Sequence, residues 1–487
     1  MSNAKTLGQL KQQGYEARSV KTEIRENLLR KLNNKEPVFP GIVGYDKTVI
    51  PQVQNALLSR HDFILLGLRG QAKTRLLRTL TTLLDSEVPA VADCQINDDP
   101  LNPVCEQCRV RVEAEGDDLP VTWIPREARY QEKLATPDVT IADLIGDIDP
   151  IKAATKKLAF TDPEVIHYGI IPRTNRGIFA INELPDLQAR IQVGLLNILE
   201  EGDIQIRGFP IRMPMDVLLV FSANPEDYTN RGNIITPLRD RISSQILTHY
   251  PRTIEEGRTI TEQEAWTERP TDVDVRVPEY IKDIVERIAF EARESEFVDQ
   301  NSGVSARMTI SLMENVFSNA ERRGVLTGKK STVARVSDLV SAASAITGKI
   351  ELVYEGEREG VRSVAEALVG KAVKSIFDEH FPDAYKLGES EGTNDYSAIL
   401  NHFKKGETLD LSDEISDGDL LKNLRAVSGL EEVTTKYLDV NAEEELAAAM
   451  EFVLEALHQS SLLAKDEILG GRAYRDMFED MVRNLRD

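Results

Sequence analysis

Lys73 and Thr74 follow the loop Gly67-Leu68-Arg69-Gly70-Gln71-Ala72, which itself follows the short apolar run Phe63-Ile64-Leu65-Leu66. Such a run reads as a buried strand, and Arg75-Leu76-Leu77-Arg78-Thr79-Leu80 opens an amphipathic helix. Strand, glycine-bearing loop, Lys-Thr and helix is the layout that cradles phosphate. Backbone N–H groups from Gly67, Arg69, Gly70, Gln71 and Ala72 to Arg75 face an anion there. Lys73 is placed to reach the β- and γ-phosphates of a nucleotide, and the Thr74 hydroxyl to hold Mg²⁺. One position departs from the usual pattern: Ala72 stands where the last glycine is expected.

Such a loop needs an acidic strand end to hold the metal's water shell and to activate an attacking water. Gly177-Ile178-Phe179-Ala180-Ile181-Asn182-Glu183 supplies one, as an apolar run closing on a carboxylate. Glu183 is the candidate that orients the water. Asn182 takes the place of the more usual Asp, which keeps an oxygen for Mg²⁺ by way of water but removes a charge. Val217 to Ala223 is another buried strand, and Asn224 ends it, between γ-phosphate and water. Arg239 and Arg241, in TPLRDRI, can reach into a neighbouring subunit's site as a finger, with Arg241 preferred. Arg307 opens a later helix from which it can couple a helical lid to the nucleotide.

Three cysteines, Cys94, Cys105 and Cys108, fall inside CQINDDPLNPVCEQC. Cys105-x-x-Cys108 with Cys94 can supply three Zn²⁺ ligands, with Asp93, Asp98 or Asp99 as a fourth. Three thiols in a surface loop, metal-free or redox-sensitive, is the alternative.

At 487 residues the chain has room for two to four domains. A formal charge of −22 argues against a general nucleic-acid binder, since phosphate contacts need a basic face. No apolar run is long enough to span a membrane, and the charged N-terminus lacks an apolar signal core, so a cytoplasmic location is expected. Repeated strand–helix units predict an α/β fold with a parallel sheet, its site at the carboxyl ends of the strands. The expected organisation is a helical extension over 1–38, an α/β nucleotide-binding domain over 39–262 and a linker over 263–280. A helical lid follows over 281–362, then a C-terminal helical region over 363–487. Gly202 to Pro214 carries a hairpin signal, Gly388 to Asp395 reads as a loop, and Ala442 to Leu463 as a strong amphipathic helix.

With Lys73, Glu183, Asn224, Arg241 and Arg307 in this order, the chain resembles an AAA+ ATPase. The loop ending GQAKTR looks like the MoxR-type variant of the phosphate loop. The stretches DLIGDIDPIKAATKKLAFTDPEVIHYGIIPRTNR and GIFAINELPDLQARIQVGLLNILEEGDIQIRG look like the magnesium-chelatase I subunit. The resemblance covers roughly residues 39 to 350 and implies ATP and Mg²⁺ as ligands and ATP hydrolysis as the activity. It further implies a homo-oligomeric ring, a hexamer by expectation, and a partner with a von Willebrand A-type domain. It places Ile42 and Val43, in FPGIVGY, against the base, and makes Arg231 a further ring-interface arginine. An activator of the σ54-dependent type shares the same core, but its GAFTGA loop is replaced here by GDIDPIKAATKKLAF. Low hydrolysis in a nucleotide-regulated scaffold, or the literal insertion of magnesium into a porphyrin, are the alternative functions.

Overall fold

A computed structural model describes residues 4–157, 162–206, 212–225, 232–385, 394–440, 442–468 and 470–477. The chain divides into two compact units, Met1–His249 and Tyr250–Asp487.

In the first unit, α1 (Leu7–Gln12), α2 (Val20–Asn33) and α3 (Val49–Leu58) precede β1 (Phe63–Leu66). The helices α4 (Lys73–Thr79) and α5 (Glu106–Glu115) follow, then β2 (Tyr130–Leu134), β3 (Gly177–Asn182), β4 (Val217–Ala223) and β5 (Ser244–Leu247). These five strands form one sheet in the order β5-β1-β4-β3-β2, with every pair parallel. Phe63 lies opposite Val220 and Ser244, while Phe221 lies opposite Ile181, so the strand ends are in step.

Side chains alternate across the sheet as the pleat requires. Phe63, Leu65, Ile178, Ala180, Leu218 and Val220 face a core shared with α2, α3 and α4. Ile64, Phe179, Ile181, Leu219 and Phe221 face a second core. That one is filled by Ile191, Leu195, Ile198 and the cysteine-bearing segment. Both faces of the sheet are covered, which is why its central strands carry no polar alternation.

The first 38 residues are part of this packing. The α2 N-terminus is held by Asp216, whose two carboxylate oxygens accept from the Val20 N–H at 3.0 and 2.8 Å. Lys21 Nζ donates to Asp62 Oδ2 at 2.7 Å, while Leu219 N–H donates to Asp62 Oδ1 at 2.8 Å. Glu23 and Arg129 form a two-pronged ion pair at 2.8 and 2.6 Å, both side chains 3 % exposed or less. Such a pair survives burial because each charge is fully hydrogen-bonded.

Between α4 and β2 the chain is ordered. Glu87–Val91 and Val121–Pro125 form an antiparallel ribbon, and α5 lies between them. Gly146–Ile148 and Ile166–Tyr168 make a second ribbon before β3. The hairpin read at Gly202 to Pro214 has its strands at Asp203–Gln205 and Arg212–Pro214, its tip lying outside the described residues. The loop read at Gly388 to Asp395 lies largely outside them as well.

The second unit is mainly helical, with Glu279–Glu294, Arg307–Thr327 and Val361–His380 as its longer helices beside Glu443–Gln459. The C-terminal stretch also carries an antiparallel sheet of Leu409–Ser412, Gly471–Asp476 and Leu463–Ile468. The helix read as amphipathic, Glu443–Gln459, is instead buried from Leu446 to Leu457 on every side, including Glu451 and Glu455. Lys465 pairs with Glu455 at 2.7 Å and Arg472 with Glu451 at 3.1 Å, so strands of the small sheet neutralise the helix's buried charge. Burial alone would raise the Glu455 carboxyl; Lys465, with hydrogen bonds from Gln459 and Tyr474, outweighs it and holds it near 2. Residues on both sides of position 363 share one core, and Arg335 pairs with Asp417 at 3.2 Å within it. No helix among the described residues is long and apolar enough to cross a membrane.

Candidate functional site

The phosphate loop leaves β1 at Gly67, where a side chain would displace the Thr248–Gln71 contact. A Cβ would fall 2.0 Å from Thr248 Oγ1 and 2.1 Å from Gln71 Oε1. Thr248, just past β5, donates to Gln71 Oε1 at 2.6 Å and so ties the loop to the neighbouring strand. Gly70 has φ +75°, and Ala72, with φ 53° and ψ 18°, is also left-handed, directly before Lys73 opens α4. A non-glycine residue there carries strain, and such strain concentrates at functional loops. Lys73 is buried, its ammonium donating to the carbonyls of Gly67 and Leu68, the latter at 3.0 Å.

Three strand ends meet beside this loop. Thr74 Oγ1 donates to Asn182 Oδ1 at 3.3 Å, and Ser222 Oγ donates to the same oxygen at 3.0 Å. Gly67 N–H donates to the Ala223 carbonyl at 3.2 Å, fixing the start of the loop to the end of β4. Glu183, half-buried, follows Asn182 in a left-handed conformation, φ 54° and ψ 51°. Asn224, half-buried, follows Ala223 on the adjacent strand. Ser222 escaped the sequence reading. Its signal is a hydroxyl one residue before the strand's last, which the pleat turns to the same side as Asn224.

On the loop's other flank Ile42 is buried and Val43 half-buried. Tyr45 anchors this segment, its hydroxyl lying 2.8 Å from the Gln71 carbonyl and 2.9 Å from that of His249. The His249 ring stands edge-on to Tyr45 with centroids 5.0 Å apart, and its Nε2 lies 2.8 Å from Thr48 Oγ1. Tyr45, Thr248 and His249 were not singled out in the sequence, because the role of each depends on β5 lying beside β1. Arg69 is half-buried and Arg75 exposed.

The arginines are spread out. Arg241 makes an ion pair with Glu200, Nε at 2.7 Å and Nη2 at 2.5 Å, and also donates to the Pro237 carbonyl at 3.0 Å. Arg239 is exposed on the same helix, Thr236–Arg241. Arg231 lies outside the described residues. Arg307 is exposed at the start of its helix in the second unit, its N–H donating to Ser305 Oγ at 3.1 Å. Cys94, Cys105 and Cys108 are free thiols gathered with Asp98 in the segment between α4 and β2. Asp99 has other partners: Arg176 at 3.1 Å and the Tyr15 hydroxyl at 2.6 Å.

A five-stranded parallel sheet in this order, with a phosphate loop after the interior strand β1 and polar groups at the ends of β3 and β4, defines an AAA+ P-loop core. The family model described as the Sigma-54 interaction domain matches residues 154–246. The magnesium-chelatase 38 kDa subunit of Cereibacter sphaeroides is 27% identical over 238 residues, 47% of this chain and 64% of that one. The same subunit of Rhodobacter capsulatus is 26% identical over 258 residues, 49% of this chain and 67% of that one. A structure of the complex between subunits BchI and BchD of magnesium chelatase aligns at 22% identity with a TM-score of 0.34. It covers 66% of this chain and 99% of that one. This chain is homologous to magnesium-chelatase subunits of the I type, and it spans 64% of the length of the first of them.

Proposed function

We propose that this chain binds ATP with Mg²⁺ at the Gly67–Thr74 loop and hydrolyses it as one subunit of a ring that remodels or activates a partner protein. The observation that carries this reading is the meeting of Lys73, Thr74, Asn182 and Ser222 at the carboxyl edge of β1, β3 and β4. Lys73 is held inside the loop, where phosphate oxygens would replace the carbonyls of Gly67 and Leu68 as its partners. The Thr74 hydroxyl and the Asn182 amide oxygen are hard oxygen donors that fit Mg²⁺, Asn182 by way of water. The ion would neutralise charge developing on the phosphates. Glu183, at the end of β3, is the group that takes the proton of the attacking water, and Asn224 on the next strand end positions that water.

Arg241, or Arg239 beside it, acts from the neighbouring subunit, which calls for a cyclic head-to-tail assembly; a hexamer is the expected size. Arg307 of the second unit reports the state of the nucleotide to the helical lid. The partner proposed is a protein with a von Willebrand A-type domain, and literal magnesium insertion into a porphyrin is a narrower version of the same motor. Asn182 supports a second reading, a nucleotide-regulated scaffold that hydrolyses little, since the metal's acidic partner is missing.

The deciding measurement is steady-state phosphate release by the full chain against Lys73→Ala and Glu183→Gln, with and without a von Willebrand A-domain protein. The motor reading expects both variants to lose at least about a hundredfold in rate. Equal release by wild type and Glu183→Gln at saturating Mg²⁺ would leave the scaffold standing.

A further inference from the structure

The segment between Glu87–Val91 and α5 brings four metal-type donors to one point. One ligand atom each from Cys94, Asp98, Cys105 and Cys108 lies within 4.8 Å of all the others. The chain achieves this by two left-handed residues, Asp93 at φ 65° and Asn97 at φ 53°, which bracket Cys94 and turn Asp98 back. The Asp98 carbonyl accepts from Val91 N–H at 2.9 Å and locks that turn to the ribbon. Cys105 caps α5, which places Cys108 one turn along on the same side.

The surroundings are those of charged sulfurs. Cys94 Sγ accepts from the Ile96 and Asp98 N–H groups at 3.5 and 3.4 Å, and Cys105 Sγ accepts from Cys108 N–H at 3.3 Å. Asp98 is fully buried. Its Oδ2 accepts from Cys105 N–H at 2.9 Å, yet its Oδ1 is buried with no hydrogen-bond partner among the described residues. A buried carboxylate oxygen left bare is costly unless a cation meets it. Leu7, Ile96 and Leu119 share one hydrophobic core with Cys105 and Cys108.

We infer that Cys94, Asp98, Cys105 and Cys108 bind one zinc ion in a closed, four-coordinate site. Three soft thiolates and one carboxylate are a zinc donor set, and a spacing under 4.8 Å suits a single tetrahedral ion. All four positions come from protein, so no place is left for water or substrate, and the ion's work is structural. It pins the ribbon and α5, and it holds α1, whose Leu7 N–H donates to the Leu119 carbonyl at 2.9 Å. It also fixes Asp99, the residue after a ligand, whose partner Arg176 directly precedes β3 and its Asn182. This site stands independently of the nucleotide reading.

The test is metal analysis of the full chain purified without chelator, followed by exchange into Co²⁺. The expected result is about one zinc per chain, released when the thiols are blocked by a mercurial. Co²⁺ should then give tetrahedral ligand-field bands with thiolate charge transfer. Asp98→Cys puts a thiolate at the same position and should retain the metal while adding charge-transfer intensity. Asp98→Asn should lower zinc affinity at least about tenfold. Zinc below about a fifth of an ion per chain together with no thiolate–cobalt bands overturns the inference. A cobalt spectrum unchanged in Asp98→Cys removes Asp98 from the site and overturns it as stated.

Discussion

Thr74, at the start of α4, and Asn182, at the end of β3, meet through a 3.3 Å hydrogen bond from hydroxyl to amide oxygen. Ser222 donates to the same oxygen, so Asn182 serves as a neutral acceptor for two hydroxyls at the position where a carboxylate would stand beside the metal. An Asp there would accept both bonds equally well and add a full negative charge. Asn182→Asp is therefore expected to lower the half-saturating Mg²⁺ concentration for phosphate release by about tenfold, the worth of one charge-assisted contact. Mg²⁺ titration of the ATPase rate checks it; an unchanged midpoint would mean that the residue-182 oxygen takes no part in holding the metal.

Ala72 sits left-handed at φ 53°, where a glycine would be at ease. That geometry costs an alanine about 1–2 kcal/mol, whereas glycine's extra freedom in the unfolded chain takes back about 0.4–1. Ala72→Gly should then stabilise the first unit by about 0.5–1 kcal/mol and raise its Tm by about 1–4 °C. Thermal unfolding by calorimetry reads this directly, and a fall in Tm would show that the loop gains something from the alanine.

Arg241 is engaged by Glu200 on its own chain, in a pair that is partly exposed. Exposed pairs of this kind are worth about 0–1 kcal/mol, so Arg241→Ala should leave thermal stability and nucleotide affinity nearly unchanged. If the arginine completes a neighbour's site, the same change should cut turnover by about a thousandfold or more. Mixing Arg241→Ala chains with Lys73→Ala chains should restore part of the activity, because each supplies what the other lacks. Failure of the mixture, with Arg239→Ala succeeding in the same experiment, moves the role to Arg239.

Glu286 gives the second unit a pH dependence of known sign. Burial raises its carboxyl to about 7 from an ordinary 4.5, although Thr261 donates a hydrogen bond to it. The folded state holds its proton more tightly than the unfolded state. Its contribution is therefore fully present below pH ~4.5 and is lost as pH rises through ~7. The loss amounts to about 3 kcal/mol by pH 8. Glu286→Gln, neutral throughout, should match wild type at pH 4 and exceed it at pH 8. Denaturant unfolding at the two pH values checks the crossover; parallel curves would mean that burial does not shift the Glu286 carboxyl.

The central strands and the site on their ends were legible because burial on both faces makes FILL, GIFAIN and VLLVFSA plain apolar runs. The edge strands YQEKL and SQIL escaped because each has one neighbour and a partly exposed face, so neither apolar continuity nor alternation marks it. The cysteine segment was legible as a donor set, but the choice of Asp98 over Asp93 and Asp99 depends on two left-handed turns that no periodicity shows. Glu443–Gln459 read as amphipathic because its glutamates suggest a wet face, whereas their cations arrive from strands later in the chain. The small sheet carrying those cations was missed for a related reason: LDLS, LAKDEI and GRAYRD are short and strongly polar.

The Glu23–Arg129 pair also decides where this protein can be cut. A fragment starting at Phe39 would keep the whole phosphate loop and every strand of the five-stranded sheet. It would take Glu23 from Arg129 and uncover the core face that Val20, Ile24 and Leu28 fill, at a cost of about 1.5–3 kcal/mol for each of those apolar side chains. Together that is comparable to the entire margin by which many domains stay folded, about 5–15 kcal/mol. The smallest sturdy version of the first unit therefore includes residues that lie well before its phosphate loop.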